Sequence, residues 1–341
     1  MNNTPDSGIQ RILVIKLRAI GDVLLSTPVL ENLRAHYPAA VIDVLTEKFA
    51  ADVIRLNPFI NSVIAFDRKT ESSLSLIRRV RQGRYTIVFD LFCNPRTALL
   101  TFLSGARTRV GFPFRFRGYA YNKKVTARRS EVHNVDFNLD ALRALSIPVA
   151  TRLPLFPLDP EAVRFAEEWF AQLPNRNAVG INAGGGWVTK RWRVEHFAEL
   201  ADRVLDELHV SIVLFWGPGE EADALALQRL MKHPAMLLPK TTLQQSAACI
   251  KQCSYFISND SGPMHIGAAL GVPTLGIYGP TNPFVQGPFG TKSEWVRNEA
   301  LSCLCCNLTE CPIGNVCMTE LSAETVYRAF ERLIEKNTIT Q

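Results

Sequence analysis

Short apolar runs alternate with helical patterns along this chain, and that alternation restricts its possible folds more than any other feature. In the first half, the runs and helical patterns lie at 12–17, about 22–37, 41–45, 62–66, about 71–82 and 85–92. Runs of this length are typical of buried strands, and their alternation with helices predicts βαβ units in a parallel sheet. Pro28 should kink the first helix or restart it with Thr27 as N-cap.

A second alternating series follows a proline-rich stretch. Residues 147–174 contain five prolines, and we expect the interdomain linker there, with one helix at about 160–171. Strands are then predicted at 178–182, 211–216, 254–258 and 274–278, and helices at about 194–208, 220–232, 263–270 and 322–336.

The chain length also favours two domains. At about 150 residues per domain, 341 residues suit a pair of α/β domains, each able to form its own core. We expect an N-terminal domain at 1–158, a C-terminal domain at 175–321, and a final helix within 322–341 that could pack back on the N-terminal domain.

The N-terminus and the hydropathy predict a cytoplasmic protein. Residues 1–6 lack the basic region, apolar run and cleavage site of a secretory signal. The chain has no uninterrupted run of 18 apolar residues, so no transmembrane helix is expected. Such a protein could still contact a membrane peripherally, from the cytoplasmic side.

Positive charge is concentrated in one stretch. The formal net charge is +6, yet residues 105–130 contain eight Lys or Arg and no Asp or Glu. Five aromatic residues lie among them, which suits an anionic partner such as a phosphate, a carboxylate sugar or a membrane surface. The alternative is a solvated surface loop. Nucleic acid is not expected, because the charge is confined to this stretch and no nucleic-acid motif is present.

The turn after the first strand carries a candidate base. Gly21 permits a tight strand-to-helix turn, and Asp22 lies at the start of the helix, where the helix dipole stabilises a carboxylate. Such a carboxylate can accept a proton from an alcohol as the alcohol attacks an electrophilic carbon. The alternative is a plain N-terminal capping residue.

Two turns in the second half suit a nucleotide. Three glycines at 184–186 allow close approach of a ligand to the backbone, and Lys190 could neutralise a diphosphate. The spacing matches neither a P-loop nor G-x-G-x-x-G, and a glycine turn with a solvated lysine is the alternative. After the next strand, Glu220 and Glu221 are candidates for a ribose contact, or for simple complementation of the helix dipole.

The segment 258–269 is the most specific of the four turns. Ser261 and Gly262 come directly before a proline that fits the first helical position, so their N–H groups could bind phosphate. Asp260 could contact sugar hydroxyls. His265 lies one helical turn later and could be a ligand contact or a packed core residue.

Five segments resemble glycosyltransferase family 9, the ADP-heptose:lipopolysaccharide heptosyltransferases. They are IKLRAIGDVLLSTPVLENLRAHYP (15–38), NAGGGWVTKRW (182–192), WGPGEE (216–221), NDSGPMHIGAALGVPTLGIYGPTNP (259–283) and CLCCNLTECPIGNVCMTELS (303–322). They are spread over nearly the whole chain. The fourth is highly specific, and the C-P-x-G part of the fifth is most similar to heptosyltransferase II-like members.

The resemblance implies a GT-B fold, which has two Rossmann-like domains with parallel sheets facing an interdomain cleft. It also implies an inverting transferase that needs no metal or other cofactor for catalysis. The donor would be ADP-heptose, and the acceptor would be the lipid-anchored, anionic inner core of lipopolysaccharide at the inner membrane.

The same resemblance assigns roles to residues. It implies that Asp22 is the base and lies across a gap from the pocket that begins at Asp260. The donor-side residues it implies are Gly185, Lys190, Glu221, Asp260, Ser261, Gly262 and His265, with Glu220 competing for the ribose contact. Acceptor-side candidates are Arg96, Arg107 and Arg109.

Five of the eight cysteines crowd into residues 303–317. The family pattern is best matched by Cys303, Cys306, Cys311 and Cys317, and the fifth cysteine is extra. A C-x-x-C pair with two further cysteines could hold a structural zinc ion. The spacing of the second pair is unusual for zinc, and free thiols or a disulfide are the alternative.

Three other functions remain open. A family 9 enzyme could transfer a different sugar or use a different acceptor, and a nucleotide-sugar 2-epimerase could share this fold. A non-catalytic carbohydrate- or nucleotide-binding protein is the third, although Asp22, Lys190 and Asp260 together argue against it.

Overall fold

The computed structural model describes residues 11–338 and divides after Pro157 into two compact units. The division lies within the proline-rich stretch 147–174 that the sequence predicts as the linker. The residues of 1–10 and 339–341 that the predicted domains include lie outside the described part of the chain.

The first unit contains one parallel six-stranded sheet. Its strands are β1 (Arg11–Ile15), β2 (Val41–Glu47), β3 (Ser62–Phe66), β4 (Ile87–Asp90), β5 (Thr108–Gly111) and β6 (Lys123–Lys124). The order across the sheet is β3-β2-β1-β4-β5-β6. This is the doubly wound order, which reverses direction between β1 and β4 and leaves a binding crevice at their carboxyl ends.

Five α-helices belong to the first unit. They are α1 (Ile20–Leu24), α2 (Thr27–His36), α3 (Ser73–Gln82), α4 (Pro95–Leu103) and α5 (Asn134–Arg143). The predicted restart at Pro28 is confirmed, because that proline lies in the first turn of α2, where no intrahelical N–H is needed. The N-cap is Ser26, one residue before the predicted Thr27.

The second unit repeats this architecture. Its strands are β7 (Ala178–Asn182), β8 (Ser211–Phe215), β9 (Met236–Leu237), β10 (Tyr255–Asn259), β11 (Thr274–Ile277) and β12 (Glu294–Val296). They form a parallel sheet in the order β12-β11-β10-β7-β8-β9, so its strands follow the same topology as those of the first sheet. The reversal point lies between β7 and β10.

Eight helices complete the second unit. They are α6 (Pro160–Phe170), α7 (Val194–Glu207), α8 (Glu221–Leu230), α9 (Leu243–Gln252), α10 (Gly262–Ala269), α11 (Pro283–Gln286), α12 (Val316–Thr319) and α13 (Ala323–Thr338). The helix predicted at about 160–171 is therefore confirmed, as α6, and it packs on α9.

The last helix, α13, packs on α7, β11 and β12 of the second unit. Its apolar face, which includes Val326, Phe330 and Leu333, is fully buried in the core of that unit. Packing of this helix on the first domain stays a prediction. Within residues 11–338, no helix is both long and apolar enough to cross a bilayer.

Candidate active site

Each unit places its candidate residues at the carboxyl edge of a parallel sheet, where strands turn into helices. In the first unit, the turn after β1 carries Asp22 and lies next to the end of β4. In the second unit, the turns after β7 and β10 carry the three glycines and Ser261, and these strands are paired. Both sets therefore occupy the reversal point, where open α/β sheets bind their ligands.

Asp22 is the third residue of α1 and is half-buried. Its Oδ2 accepts a hydrogen bond of 2.9 Å from the backbone N–H of Ala19. This bond caps the helix and fixes the orientation of the carboxylate, while Oδ1 can accept a proton from a substrate. The capping and base interpretations are therefore compatible, because they use different oxygens.

A buried lysine at the start of this turn was missed by the sequence analysis. Lys16 is 8% exposed, and its Nζ donates to the backbone oxygen of Leu91 and to Oδ1 of Asn138, both at 3.2 Å. Asn138 in turn donates to the backbone oxygen of Leu25, just after α1. Lys16 thus links the ends of β1 and β4 to α5. Its signal in the sequence is a charge within the apolar run ILVIKL.

Asp90 organises the loop between β4 and α4. It is fully buried and accepts hydrogen bonds from the N–H groups of Phe92 and Cys93 and from the Tyr121 hydroxyl, at 3.1, 2.8 and 2.8 Å. Burial raises the pKa of Asp90 above its ordinary value. These bonds tie the loop that leads to Arg96 to the sheet.

The three acceptor-side arginines lie at different ends of the sheet. Arg96 is in the first turn of α4, at the carboxyl edge, with its guanidinium 5.7 Å from the centre of the Phe66 ring. Arg107 and Arg109 lie at the amino end of β5, and the Arg109 guanidinium donates to two backbone carbonyls at 2.9 Å. Only Arg96 therefore shares the edge that carries the α1 turn.

Lys190 and Asp260, which are 70 positions apart in the chain, form an ion pair in the second unit. Lys190 Nζ lies 2.7 Å from Asp260 Oδ2, and their side chains are 15% and 4% exposed. The ammonium also lies 4.6 Å from the centre of the Trp187 ring. Because an ammonium has three donors, Lys190 can hold Asp260 and a diphosphate oxygen together.

Thr281 is a second residue that the sequence analysis missed. Its hydroxyl donates to Oδ2 of Asp260 at 2.6 Å, and the side chain is buried. The hydroxyl of Thr281 and the ammonium of Lys190 thus contact the same oxygen, Oδ2 of Asp260. The threonine lies within the segment 259–283, but nothing in the spacing of that segment distinguishes it.

Glu220 connects the turns after β7 and β8. Its two carboxylate oxygens accept from the N–H groups of Gly185 and Gly217, at 2.8 and 2.9 Å. A Cβ at Gly184 would lie 2.1 Å from the same carboxylate, so a larger residue there would displace the Glu220 side chain from these bonds. Glu220 thus has a structural role, and Glu221, exposed at the first position of α8, is left for a ribose contact.

Asn259, at the end of β10, also connects neighbouring turns through its side chain. It is fully buried, its Oδ1 accepts from the N–H of Trp192 at 3.1 Å, and its Nδ2 donates to the backbone oxygen of Ala183 at 2.7 Å. The side chain therefore holds both ends of the turn that contains the glycines and Lys190.

Helix α10 presents the segment singled out by its D-S-G-P sequence. Ser261 is the N-cap, but its side chain makes no capping bond and instead lies 3.1 Å from the Ser258 hydroxyl. The first-turn N–H groups of α10, starting at Gly262, therefore receive no cap from the Ser261 side chain. His265 is 7% exposed and lies on the following turn.

The cysteine-rich segment carries the four cysteines of the predicted zinc site, and that site stays a prediction. Cys303, Cys306, Cys311 and Cys317 are free thiols, as are the other four cysteines, all within residues 11–338. Nowhere in that range do three or more His, Cys, Asp or Glu residues lie close enough together to hold a metal ion. The spacing of the second cysteine pair, unusual for zinc, is consistent with this result.

The same segment supports the donor-side turns. The N–H of Asn307 donates to the backbone oxygen of Pro280, and the Thr189 hydroxyl donates to that of Leu308, both at 2.8 Å. These bonds connect the segment to the residues next to Thr281 and Lys190.

Comparison with known proteins identifies the relatives of the chain. The sequence profile of glycosyltransferase family 9 (heptosyltransferase) matches residues 73–317. Lipopolysaccharide heptosyltransferase 2 of Escherichia coli is 26% identical over 305 residues, which cover 84% of this chain and 88% of that protein.

Two solved structures share the fold. The glycosyltransferase family 9 structure from Veillonella parvula has a TM-score of 0.83 and 28% identity, covering 96% of this chain and 97% of that one. Escherichia coli ADP-heptose lipopolysaccharide heptosyltransferase II has a TM-score of 0.77 and 22% identity, covering 96% and 100%. These likenesses confirm the predicted GT-B fold class. Because the family profile matches well over half of the chain, the chain belongs to glycosyltransferase family 9 and is a transferase.

Proposed function

We propose that this enzyme transfers a heptose from ADP-heptose to the inner core of lipopolysaccharide, with inversion at the anomeric carbon. The relatives named as lipopolysaccharide heptosyltransferases support the choice of sugar and acceptor. The observation that carries the proposal is the buried Lys190–Asp260 ion pair beside the uncapped first turn of α10. It combines a cation, a sugar-binding carboxylate and free amides at one sheet edge.

The second unit would hold the donor. Lys190 and the Ser261 and Gly262 amides would bind the diphosphate, since a helix N-terminus and an ammonium both stabilise phosphate charge. Asp260 would accept hydrogen bonds from heptose hydroxyls, and Glu221 would accept them from the ribose. Gly185 would contribute close backbone approach rather than its N–H, which Glu220 already occupies, and His265 would contribute through the packing of α10.

The first unit would supply the base. As the acceptor oxygen forms its bond to the anomeric carbon, the bond from that carbon to the diphosphate breaks and ADP departs. The acceptor hydroxyl becomes acidic during this displacement, and Asp22 takes its proton. Lys190 and the α10 amides stabilise the charge that develops on the leaving group. The step as proposed requires no metal ion or other cofactor.

The acceptor would be a lipid-anchored, anionic oligosaccharide. Arg96 is the acceptor contact that shares a sheet edge with Asp22, while Arg107 and Arg109 remain candidates on charge alone. The basic stretch 105–130 supports a peripheral position on the cytoplasmic face of the inner membrane.

The test of the base is Asp22→Asn, which keeps the shape of the side chain and removes its basicity. We expect turnover of ADP-heptose to fall about 10²- to 10⁴-fold, while ADP still raises the melting temperature as in the unmodified enzyme. Asp206→Asn, at a side chain 63% exposed in the second unit, is the matched control and should keep full turnover. Near-normal turnover in Asp22→Asn would rule out the assigned base.

The donor nucleotide can be examined separately with ADP, UDP and GDP. We expect ADP to stabilise the enzyme most. A larger rise in melting temperature with UDP or GDP would point to a family 9 transferase with another sugar donor.

A further inference from the structure

We propose that one face of the first unit docks on an anionic lipid bilayer. This face, here called the α4 face, consists of Leu99, Phe102, Phe116 and Tyr119, on α4 and on the 3-10 helix Arg115–Ala120. The inference deepens the proposed function, on which its choice of membrane rests, because a lipid-anchored acceptor requires the enzyme to work at a bilayer surface.

The α4 face is apolar and exposed. Its four side chains, in chain order, are 44%, 47%, 95% and 54% exposed, which is unusual for large apolar groups. The Phe102 and Tyr119 rings are in edge contact, with centroids 5.6 Å apart. Leu99 lies one turn before Phe102, and Phe116 lies three residues before Tyr119, a spacing that aligns side chains in a 3-10 helix. The four side chains therefore form one surface.

A cavity extends this surface onto α3. It has a volume of about 290 Å³ and lies between α3 and α4, where Leu76, Ile77 and Leu99 line it. Leu74 on the same helix is 57% exposed. The apolar area is thus larger than the four side chains alone, as is suitable for contact with the acyl region below lipid headgroups.

Positive charge is dense around the α4 face. Residues 91–130 contain nine Lys or Arg and no Asp or Glu, and within the described residues 11–338 only one of the nine, Arg128, forms an ion pair, with Asp140. Arg96 lines the cavity, Arg109 lies 5.9 Å from the centre of the Phe102 ring, and Arg115 and Arg117 flank Phe116. Apolar side chains within a predominantly cationic surround match the headgroup layer of an anionic leaflet.

The observations favour a bilayer over a protein partner. The apolar cores of protein interfaces are typically depleted of charge and surrounded by a mixed polar rim. Here the neighbouring arginines Arg96, Arg109, Arg115 and Arg117 make the rim strongly cationic, and Phe116 protrudes almost completely into solvent. If the α4 face binds a protein partner instead, the chain should fail to bind the anionic vesicles in the experiment below.

The experiment is flotation of the full chain with vesicles. Vesicles of phosphatidylcholine with phosphatidylglycerol should bind the protein, with binding that weakens as salt is raised, and vesicles of phosphatidylcholine alone should bind it poorly. Phe116→Ser should weaken binding to the anionic vesicles about tenfold through lost apolar burial, and Phe102→Ser should add to that loss. Because Phe116 is almost fully exposed, its removal should leave the melting temperature unchanged.

Leu153→Ser is the matched control, because Leu153 is 65% exposed in the first unit and lies outside the α4 face. It should bind like the unmodified protein. Absence of binding to anionic vesicles would overturn the proposal, and so would equal binding by Phe116→Ser and the unmodified protein.

The vesicles contain neither ADP-heptose nor a sugar acceptor, so the two proposals fail separately. Turnover of a delipidated acceptor without vesicle binding would support the transferase function and contradict membrane docking by the α4 face. Vesicle binding without heptose transfer would support membrane docking and contradict the transferase function.

Discussion

At the scale of single residues, the candidate donor side depends on carboxylates that are held in place by hydrogen bonds and by one ion pair. Asp260 is almost completely buried, and a buried carboxylate is costly unless it is paired and hydrogen-bonded. Lys190 supplies the charge, and the Thr281 hydroxyl supplies a further hydrogen bond at 2.6 Å. Glu220 likewise receives two backbone N–H groups. The partners of Asp260 and Glu220 therefore fix the orientation of these carboxylates before a ligand binds.

Thr281→Val tests this arrangement, since valine has the same shape but no hydroxyl. Loss of a hydrogen bond to a buried charge should lower the free energy of unfolding by about 1.5–3 kcal/mol. Because Asp260 is then held by Lys190 alone, the donor KM should rise more than kcat falls. Urea denaturation and steady-state kinetics provide both measurements. Thr281→Ser retains the hydroxyl and should recover most of the loss. Unchanged stability and KM in the valine variant would contradict the assigned role.

At the scale of elements, one arginine adds a polar contact to the apolar packing of helix α13 on α7. Arg203 donates to Glu207 at 2.8 Å, pairs with Glu324 and lies 3.8 Å from the centre of the Tyr327 ring. The hydrogen bonds from Arg203 lower the pKa values of both carboxyl groups. A lowered carboxyl pKa stabilises the fold above the ordinary value of 4.5 and loses that effect as the pH falls through the folded value.

Arg203→Met should therefore reduce the melting temperature at neutral pH, and the difference from the unmodified protein should shrink as the medium becomes acidic. The difference in melting temperature that remains at low pH would reflect the lost contact of Arg203 with the Tyr327 ring, which does not titrate in that range. A melting series from neutral to acidic pH checks this. Arg229→Met, at an exposed position on α8, is the control. A difference that stays constant with pH would contradict the ion-pair explanation.

At the scale of the whole molecule, two units with the same strand order carry different chemistry. The repeated topology places turns at the carboxyl edge of both sheets, but the residues in these turns differ. The first unit has Asp22 and a buried Lys16, while the second has the Lys190–Asp260 pair and the first turn of α10, which receives no cap from the Ser261 side chain. The same architecture thus carries the candidate base in one unit and the candidate phosphate-binding groups in the other.

ADP alone should therefore slow hydrogen exchange in the second unit, at the turns after β7 and β10, because ligand binding protects what it contacts. Exchange in the turn after β1, which carries Asp22, should change less. Hydrogen-exchange mass spectrometry with and without ADP measures both. Stronger protection of the β1 turn would contradict the assignment of the donor to the second unit.

Central elements were predictable because their signals are local. Strands β3 and β7 begin and end at the predicted residues, and the restart at Pro28 follows from proline geometry within a single turn. Strand β5, which lies in the basic stretch 105–130, was missed, and so were the short strands β6, β9 and β12. Two or three residues cannot display a periodicity, and such strands form only because a neighbouring strand is already present.

The sequence by itself determined the alternation of strands and helices, the two domains with parallel sheets and the turns that carry Asp22, Lys190 and Asp260. The strand order within each sheet came from the tertiary structure. Tertiary structure alone decided that Lys190 pairs with Asp260 and that Thr281 supports them. The physical reason is separation along the chain. The signals of periodicity, glycine and proline extend over a few neighbouring residues, whereas these contacts join side chains that are far apart in the sequence and meet only in the folded protein.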